Sequence, residues 1–245
     1  VVSIRITGLG TLPEIQPGQD VASLIRAAAL DEHQQITEST VVVVAQKIVS
    51  KAEHAIADLR TIEPSPFAAR WAEEWGKDAR LVELVLRQSR RIVRMDRGVL
   101  ITETHHGFVT ANAGVDRSNT ACEHSATLLP ADPDASAAAL RISLGCGALI
   151  ISDTFGRPWR EGLVNVAIGA SGIEPLIDLR GTSDRDGQPL SATLLARADE
   201  LAAAAGLVMG KAAGVPVALI EGVEWENSQA PARSLIRGKE FDLFR

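Results

Sequence analysis

The sequence predicts a mixed α and β fold that is not a plain doubly wound sheet. Three observations lead there. Helical and strand patterns interleave along the 245 residues, but irregularly. Two long polar segments, 104–130 and 153–190, are rich in Gly, Asp, Asn and Arg, whereas connections in a doubly wound sheet are usually only a few residues long. No internal repeat, low-complexity linker or clear cutting point appears, so one unit spanning 1–245, with two closely joined lobes at most, is expected.

The elements follow in order. Residues 21–30 have helical apolar spacing, and Asp20 stands where a cap accepts free amides. Residues 41–45, a β-branched run, suit a buried strand. The AQKIVSKAE that overlaps its end sets Lys47 and Lys51 four apart, on one side of any helix that starts there. Pro66 is read as opening a long helix that carries Trp71, Trp75, Leu81, Leu84 and Val85 as a core stripe, with Arg87, Arg90, Arg91 and Arg94 at its solvated end. Strands are expected at 99–103 and 108–112 around the turn THHG, whose His105 and His106 face solvent. An Ala-rich helix at 133–144, a short strand at 148–152, a helix at 191–205 and a strand at 215–220 complete the reading.

Composition narrows the function. Hydrophobic residues make up 46 per cent and charged ones 23 per cent, as in an ordinary globular chain. A net charge of −6 argues against a broad basic face for nucleic acid, yet leaves room for a local anion pocket. No apolar run nears the roughly 20 residues needed to cross a bilayer, and no signal peptide is evident at VVSIRITGLG, so a cytoplasmic location without membrane contact is expected. Cys122 and Cys146 lack paired spacing and read as free thiols. Cys122-Glu123-His124 has no second cluster to complete a metal site.

Chemistry is expected where a carboxylate follows an apolar strand. TANAGVDRSNT, 110–120, offers Asp116 and Asn119; ISDTFGRPWREG, 151–162, offers Asp153 and Thr154. Hard divalent cations take oxygen ligands, usually one or two carboxylates with phosphate and water. Asp116, Asp153 and Thr154 make such a set if the two loops meet; otherwise both acids are turn residues or caps. Arg157 and Arg160, near Gly156 and Pro158, are read as a fork for an anionic substrate. Trp159 either packs a planar ring or buries itself. A lysine at a strand end can hold phosphate as a point charge, which suits Lys47 or Lys51, although both can equally be solvated. The chain has no GxxxxGK[ST], and GLG at 8–10 is not a dinucleotide fingerprint.

Together TLPEIQPGQD, VVVVAQKIVSKAE, ITETHHGFVTANAGVDRSN, ISDTFGRPWREG and LVMGKAAGVPVALIEG resemble the coenzyme F420-0:L-glutamate ligase family, the γ-glutamyl ligases of deazaflavin biosynthesis. AGVDRSN and SDTFGRPWR, in that order and spacing, are the specific part. The resemblance implies an unusual α+β fold without a P-loop, an intertwined homodimer, and GTP-driven joining of L-glutamate to the coenzyme F420 precursor. It implies two divalent ions, Mg2+ or Mn2+, with K+ as an accessory ion. Leu12, Pro13, Glu14 and Ile15 would lie against the guanine nucleotide, with Gln46, Asn119, Met209, Gly210 and Lys211 as further contacts. Lys51 would reach the phosphates, Asp116 and Asp153 would ligate one metal, and Thr154 would touch a second. Two residues depart from the pattern. Gln46 stands where related sequences often carry a small hydroxyl residue. Lys211 stands where some members have Gln near the second metal, and an ammonium donates only and cannot ligate. A second reading therefore stays open: a nucleotide- or deazaflavin-binding domain without turnover, or an amide ligase with another acceptor.

Overall fold

Val41, Val42, Val43 and Val44 are fully buried and form the centre of the main sheet. The computed structural model describes residues 3–118 and 124–242. The chain begins with β1 (Arg5–Leu9), α1 (Val21–Asp31), β2 (Val41–Ala45), α2 (Gln46–Ala52), β3 (Ile56–Asp58), α3 (Pro66–Trp75) and α4 (Ala79–Arg87). Next come β4 (Ser89–Asp96), β5 (Val99–Thr104), β6 (Val109–Ala111), β7 (Ser125–Thr127) and α5 (Pro133–Leu144). The last elements are β8 (Ala148–Arg157), β9 (Arg160–Ser171), β10 (Ile177–Asp178), β11 (Leu194–Leu195), α6 (Arg197–Met209) and β12 (Val217–Glu221). The architecture is mixed α and β with several sheets.

The main sheet has five strands in the order β1-β12-β2-β8-β9. β2 and β8 are parallel; the other neighbours are antiparallel. Both faces of β2 are covered, which explains a continuous rather than alternating apolar run. Val42 and Val44 pack with α1, α2 and α5, while Val41 and Val43 pack with α6. Burying one such side chain contributes roughly 1.5–3 kcal/mol before the entropy of ordering it. α6 approaches the sheet closely because its inner face is Ala198, Ala202 and Ala205, all wholly buried. A separate small core gathers Trp71, Val82, Leu84 and Val85 of α3 and α4 against Leu100 and Ala126.

Several sequence expectations need correction. The long helix from Pro66 is two helices: Gly76, left-handed at φ 60, ends α3, and the Asp78 side chain accepts from Arg80 N to start α4. The turn is helix-breaking chemistry of a familiar kind, a glycine followed by an acidic cap. Arg90, Arg91 and Arg94 lie on β4, not on a helix end. Arg91 Nε donates to Glu103 Oε2 at 2.7 Å, and Arg90 stands 3.9 Å from the same carboxylate. Glu103 is only 3 per cent exposed, and a buried carboxylate requires such partners. His105 is exposed as expected; His106 is partly buried, its Nε2 2.9 Å from the Pro130 carbonyl oxygen. The strand expected at 148–152 continues to Arg157 and returns as β9, so much of the segment read as loop is a long hairpin. The helix expected at 191–205 begins at Arg197 and ends at Met209, because the residues before it include β11, which pairs with β10.

The hairpin ladder slips between Ile151 and Ser152, where β9 carries an irregularity. Next to it, Ala167 N donates to Asp199 Oδ1 of α6 at 2.8 Å. Burial raises the Asp199 carboxyl, partly offset by that amide. Asp199→Ala should therefore destabilise the chain by about 1–3 kcal/mol, the usual cost of orphaning such a group. Asp199→Asn, which keeps an acceptor without burying charge, should cost less; urea unfolding of the two variants checks the order.

Candidate active site at the carboxyl end of the parallel strands

Ala45 of β2 stands beside Ser152 of β8, so the two parallel strands run out at the same edge of the sheet. β12, antiparallel to β2, starts at that edge, and β1 finishes there with Leu9 beside Val217. Four segments therefore converge: the chain after β1, α2, the continuation of β8, and the loop from α6 into β12. They enclose a cavity of about 910 Å3. Ligands of α/β sheets usually sit in this crevice outside the carboxyl ends of the strands.

Leu12, Pro13, Glu14, Ile15, Gln46, Lys51, Asp116, Asp153, Thr154, Met209, Gly210 and Lys211 all line it. Ile15 and Met209 are also core residues, 3 and 4 per cent exposed, so they present little more than an edge. Gln46 is buried, and its Oε1 accepts from Ser50 Oγ at 2.6 Å. Asn119 lies outside the described residues. Arg157 and Arg160 are not brought to the cavity: they pair with each other at the hairpin tip. Four residues of strand beyond Asp153 carry Arg157 roughly 13 Å along it.

α2 starts directly at the end of β2, and its two turns supply Lys47 and Lys51. Lys51 is 6 per cent exposed and pairs with Glu14. Lys47 Nζ donates to Asp116 Oδ2 at 2.7 Å and to the Ser118 carbonyl at 2.8 Å. Asp116 reaches this place after three successive left-handed residues, Asn112, Ala113 and Gly114, with φ 53, 53 and 71. Such strained backbone concentrates at functional sites. Asp116 then exchanges backbone hydrogen bonds with Thr127 at 3.0 and 2.8 Å. Burial pushes its carboxyl up, but hydrogen bonds from Lys47 and Ser118 outweigh it and hold the group below its usual value.

Asp153 is the converse case. Burial, its largest influence, pushes its carboxyl up to about 6, with the Asp116 charge adding to the rise. The Thr154 amide, donating to Oδ1 at 2.7 Å, and the charges of Lys211 and Lys47 act the other way. The two acids thus feel each other across one cavity.

Residues 10–222 match the family described as F420-0:Gamma-glutamyl ligase. The chain belongs to that family. Relatives named coenzyme F420:L-glutamate ligase include one from Methanothermobacter thermautotrophicus, 44 per cent identical over 100 per cent of both chains. One from Methanopyrus kandleri is 44 per cent identical over 99 per cent of this chain and 98 per cent of its own. One from Halobacterium salinarum is 39 per cent identical over 96 and 92 per cent. The family likeness carried by AGVDRSN and SDTFGRPWR therefore extends along the whole molecule, and the family is one of ligases.

The cavity residues of this γ-glutamyl ligase family member fit a divalent cation. Asp153 has one oxygen bonded to Thr154 N and, among the described residues, no hydrogen-bond partner on the other, and its charged form is penalised where it stands. Asp116 has both oxygens hydrogen-bonded, yet a carboxylate offers about four lone-pair positions and can still ligate. No cluster of three or more His, Cys, Asp or Glu is present among the described residues, so further ligands of such an ion would be oxygens of another kind, such as the Thr154 hydroxyl, phosphate or water. No site role is legible in sequence for the polar cavity residues Ser118, Ser152 and Asn165, and Lys47 is legible only as an alternative to Lys51 for holding phosphate. Its pairing with Asp116 carries no local signal.

Two outcomes follow from this geometry. The folded chain holds the Asp153 proton up to about pH 6, against 3.8 for an ordinary Asp. The metal-free wild type should therefore lose stability relative to Asp153→Asn as pH rises through that window, because the folded state must give up a proton it binds more tightly. Below about pH 4 the difference between the two should stop changing with pH, and saturating Mn2+ should stabilise only the wild type at pH 7; thermal unfolding reads all three. Gly210 leaves α6 at φ 57, ψ 177, a conformation open essentially to glycine alone. Gly210→Ala should cost about 1–3 kcal/mol in urea unfolding.

Proposed function

We propose that this cavity joins L-glutamate to the coenzyme F420 precursor through an amide bond, driven by GTP. The observation that carries the reading is one cavity holding Asp116, Asp153 and Thr154 beside Lys47, Lys51 and Lys211. Oxygen ligands and ammonium groups in one crevice suit a triphosphate with its cation. The nucleotide would lie between the segment Leu12, Pro13, Glu14, Ile15 and the turn at Met209, Gly210 and Lys211, with Asn119 and Gln46 as further contacts. Lys51, paired with Glu14 in the ligand-free chain, would turn its charge to phosphate.

The chemistry is written as two displacements. A carboxylate oxygen of the precursor attacks the γ-phosphorus, the bond to the bridging oxygen breaks, and GDP leaves with that electron pair. The glutamate amine then attacks the acyl carbon, phosphate leaves, and the amine loses a proton. In phosphoryl transfer the protein mainly positions groups and offsets charge. Mg2+ or Mn2+ held by Asp116 and Asp153 would supply the Lewis-acid part of that offset. The Lys211 ammonium acts on Asp153 already, so the reading keeps one divalent ion at the two acids, and we assign neither a second ion nor K+ to particular residues.

Arg157 and Arg160 stay assigned to anionic substrate, by way of a homodimer. A second copy seated on the hairpin tip, where Trp159 and Leu163 are 79 and 62 per cent exposed, would cover these apolar side chains and bring the arginines toward a neighbouring cavity. Among the described residues no helix is long and apolar enough to cross a membrane.

Incubation of the chain with GTP, Mn2+, glutamate and precursor should yield GDP and a product heavier by one glutamyl unit. GDP without that product would point to another acceptor, and neither would favour a binding domain without turnover. Asp153→Ala should lower turnover by at least about 100-fold, a barrier increase near 2.7 kcal/mol, while circular dichroism stays that of the folded chain.

A further inference from the structure

Thr154 on β8 and Asn165 on β9 stand directly opposite each other across the hairpin ladder. The Thr154 hydroxyl donates to Asn165 Oδ1 at 3.0 Å. A hydroxyl has one proton and two lone pairs. With the proton committed to Asn165, only acceptor capacity is left for the cavity, which both residues line beside Asp153. A hydroxyl without that partner would rotate, and in part of its orientations would present its proton where a cation has to sit.

Resting on the reading of this cavity as a divalent-cation site, we propose that Asn165 is a positioning residue that turns the Thr154 hydroxyl into a fixed acceptor facing the cation. Asn165 acts through Thr154 and does not itself ligate. α6 packs against Asn165 from behind. A Cβ built on Gly206 would stand 3.2 Å from Asn165 Nδ2 and 3.4 Å from its Cγ. The amide therefore rests against bare helix backbone, its nitrogen toward α6 and its oxygen toward Thr154. Three elements thus cooperate: β8 brings the hydroxyl, β9 orients it, and a glycine in α6 leaves space for the amide.

The test is Mn2+ affinity of the full chain, read by electron paramagnetic resonance of the free ion, without nucleotide or turnover. Asn165→Ala should weaken Mn2+ binding by about tenfold or more, the usual effect of removing a group that orients a metal ligand. Thr154→Val should weaken it similarly, and the double variant should bind no more weakly than Thr154→Val alone, because one residue works through the other. Wild-type affinity in Asn165→Ala, or losses that multiply in the double variant, would overturn the proposal. Should Asn165→Ala fail to fold, Gly206→Ala takes its place: it keeps every hydrogen-bonding group, crowds the amide, and should still weaken Mn2+. Unchanged affinity there would overturn the proposal too. Mn2+ binding that Asp153→Asn leaves untouched would overturn the cation reading itself, a result distinct from one in which Asp153 matters and Asn165 does not.

Discussion

The parallel pairing of β2 with β8 is the constraint on which the rest of the molecule depends. It sets Ala45 and Ser152 side by side, and so sends two chain segments out of the sheet at one edge. One turns at once into α2 and delivers lysines; the other continues as strand and delivers a carboxylate and a hydroxyl. Because β12 and β1 add on in antiparallel fashion, their own loops meet at the same edge. The pairing is anchored by side chains buried on both faces, Val41, Val43 and Ile150 against α6, Val42, Val44 and Ile151 against the helices opposite. A shift of one residue would exchange those two sets and carry the lysines away from the acids.

The charges at this edge are balanced by composition: Lys47, Lys51 and Lys211 against Glu14, Asp116 and Asp153. The balance is not pairwise. Glu14 is matched by Lys51 and Asp116 by Lys47, whereas Asp153 has its neighbours only at a distance. The least exposed acid of the three is thus the one without a contact ion pair among the described residues, and desolvation dominates it. A site prepared in this way favours an incoming positive charge at Asp153, and the lysines beside it favour an incoming anion. Together they suit a ligand that carries both.

Local signals made some of this legible in the sequence and left the rest dark. The valine run, the Asp20 cap and the spacing of Lys47 and Lys51 are short-range patterns, and each corresponds to what is built. The break at Gly76 was written there too, as a glycine two residues before Asp78, but the apolar stripe running across it outweighed that pair. Strand continuation past Asp153 had only a weak local warrant. Thr154 and Phe155 are good strand formers, but Asp153 and Gly156 are poor ones and Pro158 follows at once, and pairing with β9 is what holds 153–157 extended. Asn165 was out of reach for the same reason, since its meaning lies in a residue opposite it and a helix behind it. The hairpin likewise explains why Arg157 and Arg160, near Asp153 in sequence, are not at the cavity.

The backbone at Gly210 has a consequence for how such a chain can change over generations. Every single-nucleotide change in a glycine codon that replaces the amino acid introduces a side chain with a Cβ, and φ 57 with ψ 177 admits none without strain. Neutral replacement of the amino acid is therefore closed at that position, even though it lies outside every regular element. Variation in the loop has to accumulate around it, at Lys211 and beyond, where the chemistry of the pocket can be retuned without rebuilding its wall.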